Sequence, residues 1–144
     1  RLAVYNTRGV PAFVRFGHEM NGSWYPWGQR PAAYVRAFRT LAAAVHRRAP
    51  RSAILWAPNQ AAGHPYQGGR YAAAPGSADA AALDTNGDGR LDARDDAYAP
   101  YYPGDDAVDW VGLSLYHWGH APPWGENEAM RVNHAGVRFP AAVE

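Results

Sequence analysis

Apolar positions along this chain fall into three short runs and one long periodic stretch, separated by segments rich in glycine and proline. The run Ala12-Phe13-Val14, within Pro11 to Phe16, is β-branched and aromatic and predicts a buried parallel strand. From Pro31, a residue the first helical turn tolerates, Tyr34, Val35, Phe38, Leu41, Ala42 and Val45 recur at helical spacing. His46, Arg47 and Arg48 crowd the last turn, where positive charge suits the negative end of the helix dipole, and Pro50 stops it. Ser52 to Ala57 predicts a second buried strand, so strand, helix and strand form a right-handed βαβ unit. A third strand-like run covers Val108 to Tyr116. Arg1 to Arg8 read as the last turns of a helix stopped by Gly9, an odd place for an intact domain to begin.

Polar residues gather where these strands stop. After the first comes Arg15 to Gly28, R-F-G-H-E-M-N-G-S-W-Y-P-W-G. Asn21-Gly22 is a turn signal, and Trp24, Tyr25 and Trp27, interrupted by Pro26, suit a rigid loop that displays flat apolar faces. A carboxylate, Glu19, beside stacked aromatics points to sugar chemistry, against the plainer reading of His18 and Glu19 as a satisfied polar cap. A zinc-binding His-Glu helix motif would need a second His four residues on, and position 22 is Gly. Asn59 lies at the carboxyl end of the second strand, either a ligand contact or a simple turn former.

Composition narrows the field. The chain has 144 residues, a formal charge of +1 and no cysteine, so no disulfide or thiolate metal site is available. The near-neutral balance provides no basic stripe for nucleic acid, and no stretch approaches the roughly 18 apolar residues of a membrane span. Six Trp, nine Tyr, fifteen Gly and twelve Pro imply a loop-rich, aromatic surface.

Residues Gln60 to Pro103 form a long insertion rich in Ala and Gly. Within it, Asp84 to Asp95 (D-T-N-G-D-G-R-L-D-A-R-D) has the spacing of a calcium loop. Asp84, Asn86, Asp88, Asp92 and Asp95 offer oxygens, Arg90 its carbonyl, and Gly89 fills the sixth position where the turn requires it. Asp95 stands where helix-loop-helix sensors carry a Glu, which brings the pattern closer to dockerin loops; a solvated acidic turn is the alternative. A bound calcium would be structural, ordering the loop against a chain entropy of roughly 1–2 kcal/mol per residue.

About fourteen consecutive residues from Arg15 resemble the fourth-strand signature of glycoside hydrolase family 26, whose best-known members are endo-β-mannanases. Tyr101 to Gly119 (Y-Y-P-G-D-D-A-V-D-W-V-G-L-S-L-Y-H-W-G) resembles the sixth strand of the same family, and W-G-E-N-E at Trp124 to Glu128 is similar to the loop that follows in some members. The resemblance implies an α/β fold, an eight-stranded (β/α)8 barrel of which this chain carries strands four to six, with residues 60–103 as an insertion. It also implies retaining endo-hydrolysis of a β-linked polysaccharide, β-1,4-mannan first, by a secreted enzyme that needs no catalytic cofactor. Glu19 matches the general acid/base, with His18 bonded to the site and Tyr116 matching the tyrosine that orients the nucleophile. Trp24, Trp27 and Trp118 would stack against sugar rings, with Asn59 among the substrate contacts.

Retention needs a second carboxylate about 5–5.5 Å from the first. In the family that Glu follows the seventh strand, and Glu126, Glu128 and Glu144 do not match its setting. The expectation is a piece of a larger barrel that holds the acid/base half of the site and is inactive alone. The alternative is a non-catalytic remnant that binds calcium or polysaccharide.

Overall fold

The computed structural model describes residues 1–115, and those through Ser114 form one compact unit. A short helix α1 (Leu2–Thr7) is followed by strand β1 (Phe13–Arg15), helix α2 (Pro31–Arg48), strand β2 (Ala53–Trp56), helix α3 (Ala78–Leu83) and strand β3 (Trp110–Val111). Single 3-10 turns at Ala61–Gly63 and Ala99–Tyr101 punctuate the connection from β2 to β3.

The sheet is parallel throughout, in the order β1-β2-β3. Val14 pairs with Ile54, and Leu55 with Trp110. Each strand begins and ends inside the run predicted for it, and each is shorter. Regular pairing is confined to the residues that face a neighbour on the sheet: three in β1, four in β2 and two in β3.

Helix α2 starts with Pro31 at its first turn and buries Tyr34, Phe38, Ala42 and Val45, a stripe four, four and three residues apart. Tyr34, Phe38 and Ala42 pack with Ile54 and Trp56 of β2, with Met20 from the loop after β1, and with Leu83, Tyr101 and Ala107 from the β2–β3 connection. The insertion thus supplies part of the core, each large apolar side chain contributing about 1.5–3 kcal/mol when fully buried. On the other side of β1, Phe13 is 64% exposed and meets Trp110 edge to face at 5.5 Å.

Polar ties fix the helix to the segment before β3. Arg39 makes a bidentate pair with Asp106 at 2.7 and 2.8 Å and also donates to the Pro103 carbonyl. Asp109 accepts from the Ile54 amide at 2.8 Å and lies 3.0 Å from His46, in the basic last turn of α2. Burial works against the Asp109 charge, but the Ile54 amide and His46 outweigh it and hold the carboxyl below its ordinary range. At the amino-terminal end, buried Asn6 donates to Ser52 Oγ and to the Val10 carbonyl and accepts from the Arg51 amide, joining α1 to the start of β2.

Candidate active site

The strands end together, and Glu19 and Asn59 lie at that edge. The Glu19 amide donates to the Ala57 carbonyl at 2.8 Å, and Asn59 forms a parallel bridge with Ser114, so the pairing continues past the strands themselves. Arg15 reaches across the sheet and donates to Ser114 Oγ at 2.7 Å. Glu19 itself is 4% exposed and adopts φ +56°. A left-handed conformation at a non-glycine residue is uncommon and persists only where its surroundings over-determine it. Here they do: the Glu19 amide is bonded to Ala57, its carbonyl accepts from Gly22, and its carboxyl accepts from Trp24.

Trp24 Nε1 donates to Glu19 Oε2 at 2.8 Å, while 39% of Trp24 stays exposed. The indole therefore joins two properties that its sequence position alone does not reveal: a donor on the carboxylate and partial exposure. Tyr66, which adopts φ +52°, meets Trp24 edge to face at 5.0 Å. Its hydroxyl donates to Asn59 Oδ1 at 2.9 Å and is bonded to the Gln60 carbonyl. Burial, first, and the nearby charge of Glu19 push the Tyr66 hydroxyl above its ordinary range, so it stays a donor.

Asn21 acts as a staple. Its Nδ2 donates to the Asn59 carbonyl at 2.9 Å and its Oδ1 accepts from the Asn59 amide at 2.8 Å, the reciprocal pair that a second strand would make. His18, Tyr25 and Trp27 form a second group. His18 Nε2 lies 3.3 Å from the Tyr25 hydroxyl, Tyr25 and Trp27 stack at 4.7 Å, and Trp27 donates to the His18 carbonyl. Tyr116 and Trp118 lie outside the described residues, as do Glu126, Glu128 and Glu144.

The insertion grips this loop from behind. Gln29 donates to the Pro65 carbonyl and accepts from the Ala73 amide, and the Tyr71 amide donates to the Ser23 carbonyl at 2.9 Å. A Cβ on Gly69 would fall 2.0 Å from Ser23 Oγ, so only glycine permits this approach. Asn21, Gln29 and Tyr66 were not among the residues singled out from the sequence. Asn21 stood inside the signature string as a turn former, and Tyr66 sat in a Gly/Pro-rich loop with no periodicity to mark it.

The 84–95 loop has the predicted turn, with Gly89 at φ +79°. Asp84 accepts from the Gly87, Asp88 and Gly89 amides. Asp95 is buried and accepts from the Thr85, Asn86 and Asp92 amides, which together outweigh its desolvation and hold its carboxyl below the usual range. Asn86 and Asp88 accept from the Asp88 and Arg90 amides, respectively. Arg94 Nη2 lies 2.7 Å from both Asp88 Oδ2 and Asp92 Oδ2, and its hydrogen bonds push the Asp92 carboxyl down to about 2. Among the described residues, no three carboxylates or imidazoles come together in an arrangement that would hold a metal ion. As arranged, the cation in this loop is a guanidinium.

No known family profile matches the chain, and no solved structure matches it. Across 124 residues it is 26% identical to Endoglucanase H of Acetivibrio thermocellus, an alignment that covers 81% of this chain and 11% of that protein. The chain therefore spans about a ninth of the relative's length.

Proposed function

We propose that this chain is the acid/base part of a retaining endo-glycoside hydrolase of the family 26 type, acting on a β-linked polysaccharide with β-1,4-mannan as its substrate. The observation that carries the reading is Glu19: a buried carboxyl at the carboxyl edge of a parallel sheet, bonded to an indole that is itself partly exposed. Parallel α/β folds place ligands at that edge, and sugar C–H faces suit aromatic rings. The distant similarity to an endoglucanase supports glycoside hydrolysis as the reaction class.

In this reading Glu19 protonates the leaving oxygen and then deprotonates water. The general acid must keep its proton near neutral pH, which burial favours, while the Trp24 N–H donates to the carboxylate that forms when the proton leaves. Trp24 and Trp27 offer sugar-stacking faces, Asn59 a substrate contact, and His18 orients the aromatic group through Tyr25. By the family resemblance, Tyr116 is assigned to orient the nucleophile and Trp118 to stack against a sugar ring. Such an enzyme works outside the cell, where its polymer is.

The test is Glu19→Gln in the full-length protein, assayed for reducing ends released from mannan, mixed-linkage β-glucan and β-1,3-xylan. The relative's name points to a glucan, so the polymers are compared side by side. The expected result is loss of polymer cleavage on the order of 10²–10⁴-fold, with much of the rate regained on an aryl glycoside whose leaving group needs no proton. Full activity on the polymer in the variant would remove Glu19 from the chemistry.

We further propose that calcium can take the place of the Arg94 guanidinium in the 84–95 loop. The donor spacing and the left-handed Gly89 support it. Asp84, Asn86, Asp88, Asp92 and Asp95 with the Arg90 carbonyl would hold the ion. Chelator should then raise proteolysis near Asp88, and Arg94→Gln should tighten calcium binding in a calorimetric titration. Cleavage that is equal in chelator and in calcium would leave the loop to Arg94 alone.

A further inference from the structure

The Trp24 indole donates to the Glu19 carboxyl, yet 39% of its surface is open. Something must keep it from swinging away. Part of the answer is Gly22, where a Cβ would fall 2.3 Å from the Trp24 ring, so the indole lies directly against the backbone there. The other part is Tyr66. Its ring meets Trp24 at 5.0 Å with an interplanar angle of 84°, the edge-to-face arrangement that aromatic quadrupoles favour.

Tyr66 is itself held from several directions. Its hydroxyl is bonded to Asn59 Oδ1 and to the Gln60 carbonyl. Asn59 is stapled by Asn21, two residues from Glu19. Its neighbour Pro65 accepts from Gln29, which closes the aromatic loop on the far side. Contacts thus run from Glu19 through Trp24, Tyr66 and Asn59 to Asn21, which the chain joins back to Glu19, and only Tyr66 enters this circuit from the insertion.

We propose that Tyr66 is a positioning residue that fixes the Trp24 indole on the Glu19 carboxyl and so sets the pH range over which Glu19 carries its proton. This deepens, and for its catalytic consequence rests on, the acid/base reading of Glu19. The physical step is short. An N–H donated to a carboxylate favours the charged form and lowers its pKa, so an indole that wanders lets that pKa rise.

The experiment follows the Trp24 indole N–H resonance against pH in ¹⁵N-tryptophan-labelled full-length protein, the peak being assigned by its loss in Trp24→Phe. In the natural protein it should titrate with Glu19, and Glu19→Gln should abolish that titration. In Tyr66→Leu the midpoint should move up by roughly one pH unit. Tyr66→Phe keeps the ring and loses the anchoring hydroxyl, so it should move the midpoint in the same direction by less, and it guards against a leucine variant that fails to fold. On whichever polymer is cleaved, the alkaline limb of kcat/KM should shift upward with the midpoint. A midpoint unmoved in both Tyr66 variants overturns the proposal. A midpoint that moves in a protein that cleaves no polysaccharide upholds the positioning role and sinks the sugar-cleaving reading, so the two can fail separately.

Discussion

Asn21→Ala tests the staple that holds the strand edge and the candidate site together. Asn21 is 1% exposed, and its amide makes both bonds of the reciprocal pair with the Asn59 backbone, at 2.9 and 2.8 Å. Removing it deletes two part-buried hydrogen bonds and leaves one N–H and one C=O of Asn59 to find new partners. Each such bond is worth about 1 kcal/mol net, and each orphaned group adds a penalty of about 1–3 kcal/mol if water cannot reach it. Because Asn59 is only half-buried and its amide can be partly rehydrated, the loss comes to about 2–4 kcal/mol rather than the full sum. For a unit of this size that is a fall in Tm of roughly 6–12 °C. Urea unfolding should show a lower midpoint with an unchanged slope, and amide exchange at Asn59 should accelerate while Ile54, in the centre of the sheet, keeps its protection. A variant within about 0.5 kcal/mol of the natural protein, with Asn59 still protected, would show that the paired geometry contributes nothing.

Acid should destabilise the fold in a defined window. The Arg39 hydrogen bonds hold Asp106 below its ordinary range, and Asp95 and Asp109 are also lowered. A carboxyl lowered in the folded state contributes stability above its unfolded value of about 3.9 and loses it as pH falls through the folded value, so the urea midpoint should drop below about pH 4. A profile flat to pH 2 contradicts this. Burial lowers the His64 pKa, which adds a smaller loss that starts as pH falls below its unfolded value of about 6.5 and disappears in His64→Phe. Gly22→Ala drives a methyl to within 2.3 Å of the Trp24 ring and should cut polymer cleavage on the order of 10²-fold by displacing the indole, while the urea midpoint moves far less than in Asn21→Ala. Equal activity in the glycine and alanine forms would mean that the indole is not held where the structure has it.

Much of the local architecture was legible along the chain. The stripe Tyr34, Phe38, Ala42 and Val45 repeats because a helix turns every 3.6 residues, so the burial of one face is written at fixed intervals, and α2 runs from Pro31 as expected. The strands were visible as apolar runs, but their lengths were not. Where pairing stops depends on which residues of a neighbour lie alongside, and the partners of β1 and β2 are some 40 residues apart in register, Phe13 with Ala53. The 84–95 spacing was equally visible, whereas Arg94 between Asp88 and Asp92 was not, because the turn leaves its eleventh position unconstrained.

By itself, the sequence determined that Glu19 would stand at a strand end among aromatic rings, since the run before it and the loop residues after it are contiguous. Only the tertiary structure decided what touches that carboxyl and its neighbours. The Trp24 indole turns its N–H inward, Asn21 reaches across 38 residues to Asn59, and Tyr66 comes from the insertion to meet Trp24. Periodicity encodes which side of an element faces the core. It carries no record of which distant loop will supply the next ring or the next donor, because those meetings are set by packing in three dimensions.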